Sequence, residues 1–194
     1  MKLLARVLTV IYFKLFYRVE IAHAERVPQN GPALLCSNHN GMLDMFFLGY
    51  KLKRWIHWMA KEELFKNPVS GAIFRSLGAF PIKRGKGDVG SIKTAFKLFD
   101  QGHIVGIFPQ GTRVGTDQRK TARIKPGAAM LAVNSGVPVI PVAVKGSYKP
   151  FSRIRVTYGE PFRLEAEEGK KYTGEELSEL SRKIMDKIYA LMEE

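Results

Sequence analysis

The sequence predicts a single α/β domain, with a mostly parallel or mixed central sheet flanked by helices and an amphipathic helix ahead of it. Three observations lead there. Short apolar runs alternate with stretches of helical periodicity between residues 33 and 158, the pattern of strands joined by helices. The 194 residues are 45% hydrophobic and 11% aromatic, enough to bury one core and too apolar for a disordered chain. No repeat, linker or low-complexity tract divides the chain, so residues 19–194 read as one domain behind an N-terminal segment, 1–18.

That segment begins MKLLARVLTVIYFKLFY and carries only positive charges, Lys2, Arg6 and Lys14, with Arg18 following. As a helix its 17 residues reach about 25 Å, short of the roughly 30 Å hydrocarbon layer, and Lys14 falls inside it. This argues against a transmembrane span. A signal peptide fits poorly too, because Val19 and Glu20 lead into a strand-like run where a small-residue cleavage site would fall. The composition favours a helix in the membrane interface, with apolar side chains in the acyl boundary and bases at anionic headgroups. The plainer alternative is a helix that covers the domain's own core.

Further along, residues 33–37 (ALLCS) read as a buried strand, followed by a polar loop and a helix over 44–52. A second strand is predicted at 55–60, a helix at 70–77 between Pro68 and Gly78, and a third strand at 80–82. Ile92, Ala95, Phe96 and Phe99 share one face of a helix over 91–101 that Gly102 ends. Residues 104–108 form a strand, and 126–134 a helix with proline in its first turn and Gly136 just past its end. Strands at 139–144 and 153–158 complete the sheet. The last helix starts at a capping box, Thr173 with Glu176, and aligns Leu177, Leu180, Ile184, Ile188 and Leu191 on one face. Sites in such sheets form at the carboxyl ends of the strands.

The charge balance narrows the partners. There are 31 bases against 18 acids, a net +13. The excess sits in residues 1–159, with 25 bases and 8 acids, while 160–194 hold ten acids and six bases. A basic body with an acidic helical end implies a polyanionic partner: nucleic acid, an anionic membrane surface or phosphorylated small molecules. One cysteine excludes an intramolecular disulfide framework and a four-cysteine zinc site. Cys36 follows Leu34 and Leu35 on a strand and reads as a small buried residue rather than an acyl-carrying nucleophile. His23, His57 and His103 show no mutual ligand spacing, so no metal is assigned.

Three polar clusters directly follow predicted strands. In Asn38-His39-Asn40-Gly41-Met42-Leu43-Asp44, the aspartate can fold back across the Gly41 turn and accept the proton on His39 Nδ1, leaving Nε2 as a base. No serine is placed to be its nucleophile, so a substrate hydroxyl could take that part. The alternative is that Asp44 caps a helix and His39 is a satisfied loop histidine. In Ile82-Lys83-Arg84-Gly85-Lys86-Gly87, cations and glycine N–H groups suit an anion or form a solvated basic loop. In Phe108-Pro109-Gln110-Gly111-Thr112-Arg113, Gly111 permits a sharp turn, Thr112 offers a hydroxyl and Arg113 a planar fork for phosphate oxygens.

Together, in this order, the clusters resemble the 1-acylglycerol-3-phosphate acyltransferase family. NHNGMLD is similar to its His-x4-Asp block, AFPIKRG to its second block, FPQGTR to the block usually written Phe-Pro-Glu-Gly-Thr-Arg, and VPVIPV to its fourth. The resemblance implies transfer of a fatty acyl group from a thioester, acyl-CoA or acyl carrier protein, to the sn-2 hydroxyl of lysophosphatidic acid, without metal or redox cofactor. It implies His39 as the base and Asp44 as its orienting partner, and substrate binding by Lys83, Arg84, Gln110, Gly111, Thr112 and Arg113. It also implies a peripheral or monotopic location on the cytoplasmic face of the cell membrane.

Two departures bear on this. Gln110 replaces a glutamate; if that residue only accepts a hydrogen bond from a substrate hydroxyl, the amide oxygen can substitute, whereas a needed charge would be lost. Family members also often carry a longer apolar helical pair at the N-terminus, where one helix stands here. The other readings are the same chemistry on glycerol-3-phosphate or another lysophospholipid, an inactive lipid-binding relative, and a nonenzymatic basic module that binds nucleic acid. The last leaves the His-x4-Asp spacing unused and has no recognised nucleic-acid motif, so no nucleic-acid partner is expected.

Overall fold

The computed structural model describes residues 2–83, 88–115, 118, 121–167 and 169–193. Its centre is β2 (Ala33–Ser37), five residues buried on both faces. Alternation along the strand sends Leu35 into a cluster with Phe47 and Ile140, and Leu34 and Cys36 into an opposite cluster with Ala132 and Ile184.

Seven strands form the sheet in the order β1-β7-β6-β2-β5-β3-β4. On one side of β2 lie β5 (Ile104–Ile107), β3 (Ile56–Lys61) and β4 (Phe80–Ile82), all parallel to it. On the other lies β6 (Val139–Gly146), also parallel. The sheet is mixed because β7 (Arg153–Tyr158) runs antiparallel to β6, carrying β1 (Arg18–Ala22) parallel to itself. Only residues 147–152 join β6 to β7, too few for the crossover that a parallel pair requires.

Helices cover both faces. On one lie α1 (Lys2–Phe16), α2 (Asp44–Gly49) and α3 (Pro68–Ser76); on the other, α4 (Val89–Asp100), α5 (Gly127–Ser135) and α6 (Gly174–Ala190). The expected helix over 44–52 stops at Gly49, where the chain tightens into successive turns closed by Tyr50 N–H on Phe47 O and Leu52 N–H on Gly49 O, both 3.3 Å. At α4 the start lies two residues earlier than expected, because Asp88 Oδ1 accepts the Gly90 and Ser91 N–H groups. Thr173 and Glu176 form both bonds of the capping box on α6.

α1 is amphipathic in an inverted sense. Toward the body it turns Ala5, Arg6, Thr9 and Phe13, and Phe13 is buried against Phe47 with ring centroids 4.1 Å apart. Outward it presents Leu3, Leu4, Val7, Leu8, Ile11 and Leu15, all at least 46% exposed. Among the described residues, no helix is long and apolar enough to cross a membrane.

Candidate active site

The carboxyl end of β2 is extended by a side chain. Asn38 Nδ2 donates to Val144 O (2.9 Å) and its Oδ1 accepts from Val144 N–H (2.8 Å), so a buried amide continues the pairing with β6 past the last strand residue. His39 leaves the sheet from this fixed point. Its N–H donates to Gln110 Oε1 at 2.7 Å, and its carbonyl accepts from Val114 N–H at 2.8 Å, so the loop after β5 holds it on both sides. The imidazole lies flat on Phe108, 4.1 Å between centroids, and Phe108 in turn stacks on Trp58 at 4.9 Å.

His39 Nδ1 donates to Asp44 Oδ2 at 2.7 Å. The same oxygen accepts the Asn40 and Gly41 N–H groups at 2.7 and 2.9 Å, and Tyr148 Oη donates to Oδ1. Asp44 is fully buried and the His39 side chain 16% exposed. A carboxylate with no water contact is stable as an anion only when its lone pairs are matched, and four donors match these. With the carboxylate accepting at Nδ1, Nε2 is the imidazole's remaining nitrogen, and it has no hydrogen-bond partner among the described residues. The expected capping by Asp44 does not form: Asp44 is the first residue of α2, the helix has no side-chain cap, and the carboxylate turns back onto the preceding loop and the His39 ring.

Gln110 is 1% exposed and both ends of its amide are engaged. The backbone N–H of His39 can only donate, which places the amide oxygen toward it, and Nε2 donates to Tyr189 Oη on α6 at 3.1 Å. The expected contact of Gln110 with substrate therefore has no exposed surface on which to form; its place is beneath His39. Either glutamine or glutamate supplies the oxygen that His39 N–H requires.

Beyond Gln110 the third block opens to solvent. Gly111 adopts φ +68°, a left-handed turn, and a Cβ there would stand 3.0 Å from Lys125 Cγ, so the lysine stem crosses it closely. Thr112 and Arg113 are exposed, two residues and one residue before the Val114 bond to His39. Lys83 follows β4, three strand spacings or about 14 Å from β2, with its ammonium 3.7 Å from Glu62 and its N–H on Asp88 Oδ2 at 2.8 Å. Arg84 lies outside the described residues. Cys36 is wholly buried in the cluster opposite α2, and burial pushes its thiol far above the usual range. Sequence reasoning missed Tyr148, Tyr189 and Lys125, which reach the site from 104, 79 and 14 residues away along the chain, beyond any local pattern.

A shallow groove of about 70 Å³ runs between α1 and the sheet, lined by Ala5, Thr9, Phe46, Tyr50, Trp58 and Phe74 among others. Trp58 belongs both to this groove and to the aromatic stack that ends on His39.

A buried aspartate orienting a histidine at the carboxyl ends of parallel strands agrees with what the chain matches. Residues 18–145 fit the family model described as Acyltransferase, and the chain belongs to that family. Among its relatives, a 1-acyl-sn-glycerol-3-phosphate acyltransferase of Bacillus subtilis is 36% identical over 129 residues, 66% of this chain and 63% of that protein. One of Streptococcus pneumoniae is 28% identical over 183 residues, 89% of this chain and 65% of that protein. The chain thus spans under two thirds of either relative's length. The crystal structure of the 1-acyl-sn-glycerophosphate acyltransferase PlsC from Thermotoga maritima superposes with a TM-score of 0.71 at 24% identity, covering 97% of this chain and 77% of that one, and shows the shared fold.

Proposed function

We propose that this protein transfers a fatty acyl group from an acyl thioester, acyl-CoA or acyl carrier protein, to the sn-2 hydroxyl of lysophosphatidic acid, releasing phosphatidic acid and a free thiol. The observation that carries the reading is the His39–Asp44 pair, with Nδ1 engaged at 2.7 Å on a buried carboxylate and Nε2 without a partner among the described residues. Nε2 takes the proton from the acceptor hydroxyl, and the oxygen forms its bond to the thioester carbonyl carbon. The carbon–sulfur bond then breaks, and the departing thiolate recovers the proton from the imidazolium. A thiol of pKa about 8.5 leaves readily, so no enzyme-bound acyl intermediate is required.

The cations suit the acceptor. Arg113, exposed and next in the chain to Val114, whose N–H bonds the His39 carbonyl, binds its phosphate; Lys83 and Arg84 of the second block add further cations, while Gly111 and Thr112 shape the turn. The groove beneath α1 is lined mainly by apolar side chains, which suits a fatty chain whose reacting end lies at the aromatic stack. The outward leucines of α1 lie in the interface of an anionic membrane on its cytoplasmic side. They are joined there by Phe151, 69% exposed at φ +66° and 6.1 Å from the Phe16 ring. The domain division at residue 18 follows the same reading.

The names of the relatives favour lysophosphatidic acid as acceptor over glycerol-3-phosphate or another lysophospholipid. The test crosses acyl-CoA and acyl carrier protein donors with these acceptors and identifies the product by mass. Phosphatidic acid as the main product is expected; thioester cleavage without any acylated glycerolipid would overturn the reading.

A further inference from the structure

We infer that Tyr148 is a positioning residue for the catalytic pair: its phenol fixes the carboxylate oxygen of Asp44 that His39 does not touch. The inference rests on the reading of His39 as the base. The two oxygens of Asp44 are held unequally. Oδ2 accepts three protons, from His39 Nδ1, Asn40 N and Gly41 N, whereas among the described residues Oδ1 accepts from Tyr148 Oη alone. The torsion that swings an aspartate carboxylate is broad, so bonds to one oxygen leave its plane loosely set. A donor on the second oxygen sets that plane, and with it the direction in which the imidazole presents Nε2.

The surroundings make Tyr148 a fixed donor. A Cβ on Gly41 would stand 2.6 Å from Tyr148 Cε1, so the ring lies against the turn of the first block at a distance that only glycine admits. Phe47 meets the same ring edge-on at 5.9 Å. Burial first, and then the negative charge of Asp44, push the phenol's pKa far above its ordinary value, so it remains a donor wherever His39 can act as a base.

Behind the ring, Tyr148 O accepts from Tyr17 Oη at 3.0 Å, and Phe151 N–H donates to Phe16 O at 2.6 Å. The turn that carries Tyr148 is thereby tied to the foot of α1. Among the described residues the titratable groups meeting Asp44 are His39 and Tyr148, and Tyr17 meets Tyr148.

The test compares Tyr148→Phe with wild type in the full chain, using an acyl thioester with lysophosphatidic acid, together with the downfield Nδ1–H proton resonance of His39. The phenylalanine keeps the ring against Gly41 and removes only the hydroxyl, with its bonds to Asp44 Oδ1 and to the Asn40 side chain. We expect kcat to fall about tenfold with both KM values within about twofold, and the resonance to broaden or shift. A kcat within about twofold of wild type and an unmoved resonance would overturn the proposal. Should Tyr148→Phe fail to fold, Gly41→Ala displaces the ring with its phenol intact and is expected to give the same loss of kcat. The resonance needs no substrate. A wild type inactive on lysophosphatidic acid would therefore sink the functional reading alone, and the resonance would still judge Tyr148.

Discussion

Two histidines at opposite ends of one sheet have become different chemical groups. At the carboxyl end of β2, His39 binds a buried carboxylate through Nδ1, and Nε2 has no partner among the described residues. At the amino end of β3, His57 has no acid among the described residues beside it. It bonds the Gly78 carbonyl at 3.0 Å, and its ring lies 4.8 Å from that of His103. Burial, then the positive charges of Lys2 and His103, push its pKa down from 6.5 to about 4. His57 is a neutral packing residue near pH 7. The contrast teaches that the acid partner and the three other donors that hold it, rather than the histidine, define the site.

Removing that partner breaks the comparison most severely. In Asp44→Asn, side-chain volume is kept but the charge that stabilises the imidazolium is lost, and kcat is expected to fall by about three to four orders of magnitude. Initial rates of thiol release measure this. A smaller effect follows on the binding side: Arg113→Ala removes a guanidinium from a phosphate, raising the acceptor KM by about ten- to a hundredfold while kcat changes far less. The same variant assayed with an uncharged monoacylglycerol acceptor is expected to show little change in KM.

Smaller still is Gln110→Glu. The carboxylate accepts from His39 N–H as the amide does, so kcat is expected within about fivefold of wild type. Gln110→Ala strips the acceptor from a buried N–H and costs about 1–3 kcal/mol of stability, read from denaturant unfolding.

The smallest effect concerns His57 itself. Its folded pKa lies below its unfolded value, so between about pH 6.5 and 4 the unfolded chain binds a proton that the native state refuses. Its contribution to stability is complete above pH 6.5 and lost as the pH falls toward 4. His57→Gln keeps a donor for Gly78 and titrates nowhere, so its melting temperature is expected to fall less over that window than the wild type's.

Much of this architecture is written locally. Strands 33–37, 80–82 and 153–158 are runs of apolar or β-branched residues bounded by loop residues, and they occupy those positions in the structure. His39 and Asp44 are legible as a pair because five residues around a glycine turn is a local spacing. The reversal of β7 is less so: its signal is the lack of a helix between 146 and 153, an absence rather than a pattern. Tyr148, Tyr189 and the burial of Gln110 are not legible at all, since each depends on elements that meet only when the sheet closes. The place of Gln110 shows the consequence. Beside Gly111, Thr112 and Arg113 it reads as one more substrate contact, yet a single step along the loop separates the interior from the solvent.

The central claim is that Nε2 of His39 removes the proton from the acceptor hydroxyl, and one measurement bears on it most directly. His39→Ala and wild type are compared for thiol release from an acyl thioester with and without lysophosphatidic acid, at matched circular dichroism. The expected result is acceptor-dependent release by the wild type and a loss of at least about a thousandfold in the variant. Undiminished acceptor-dependent release by His39→Ala would contradict the account.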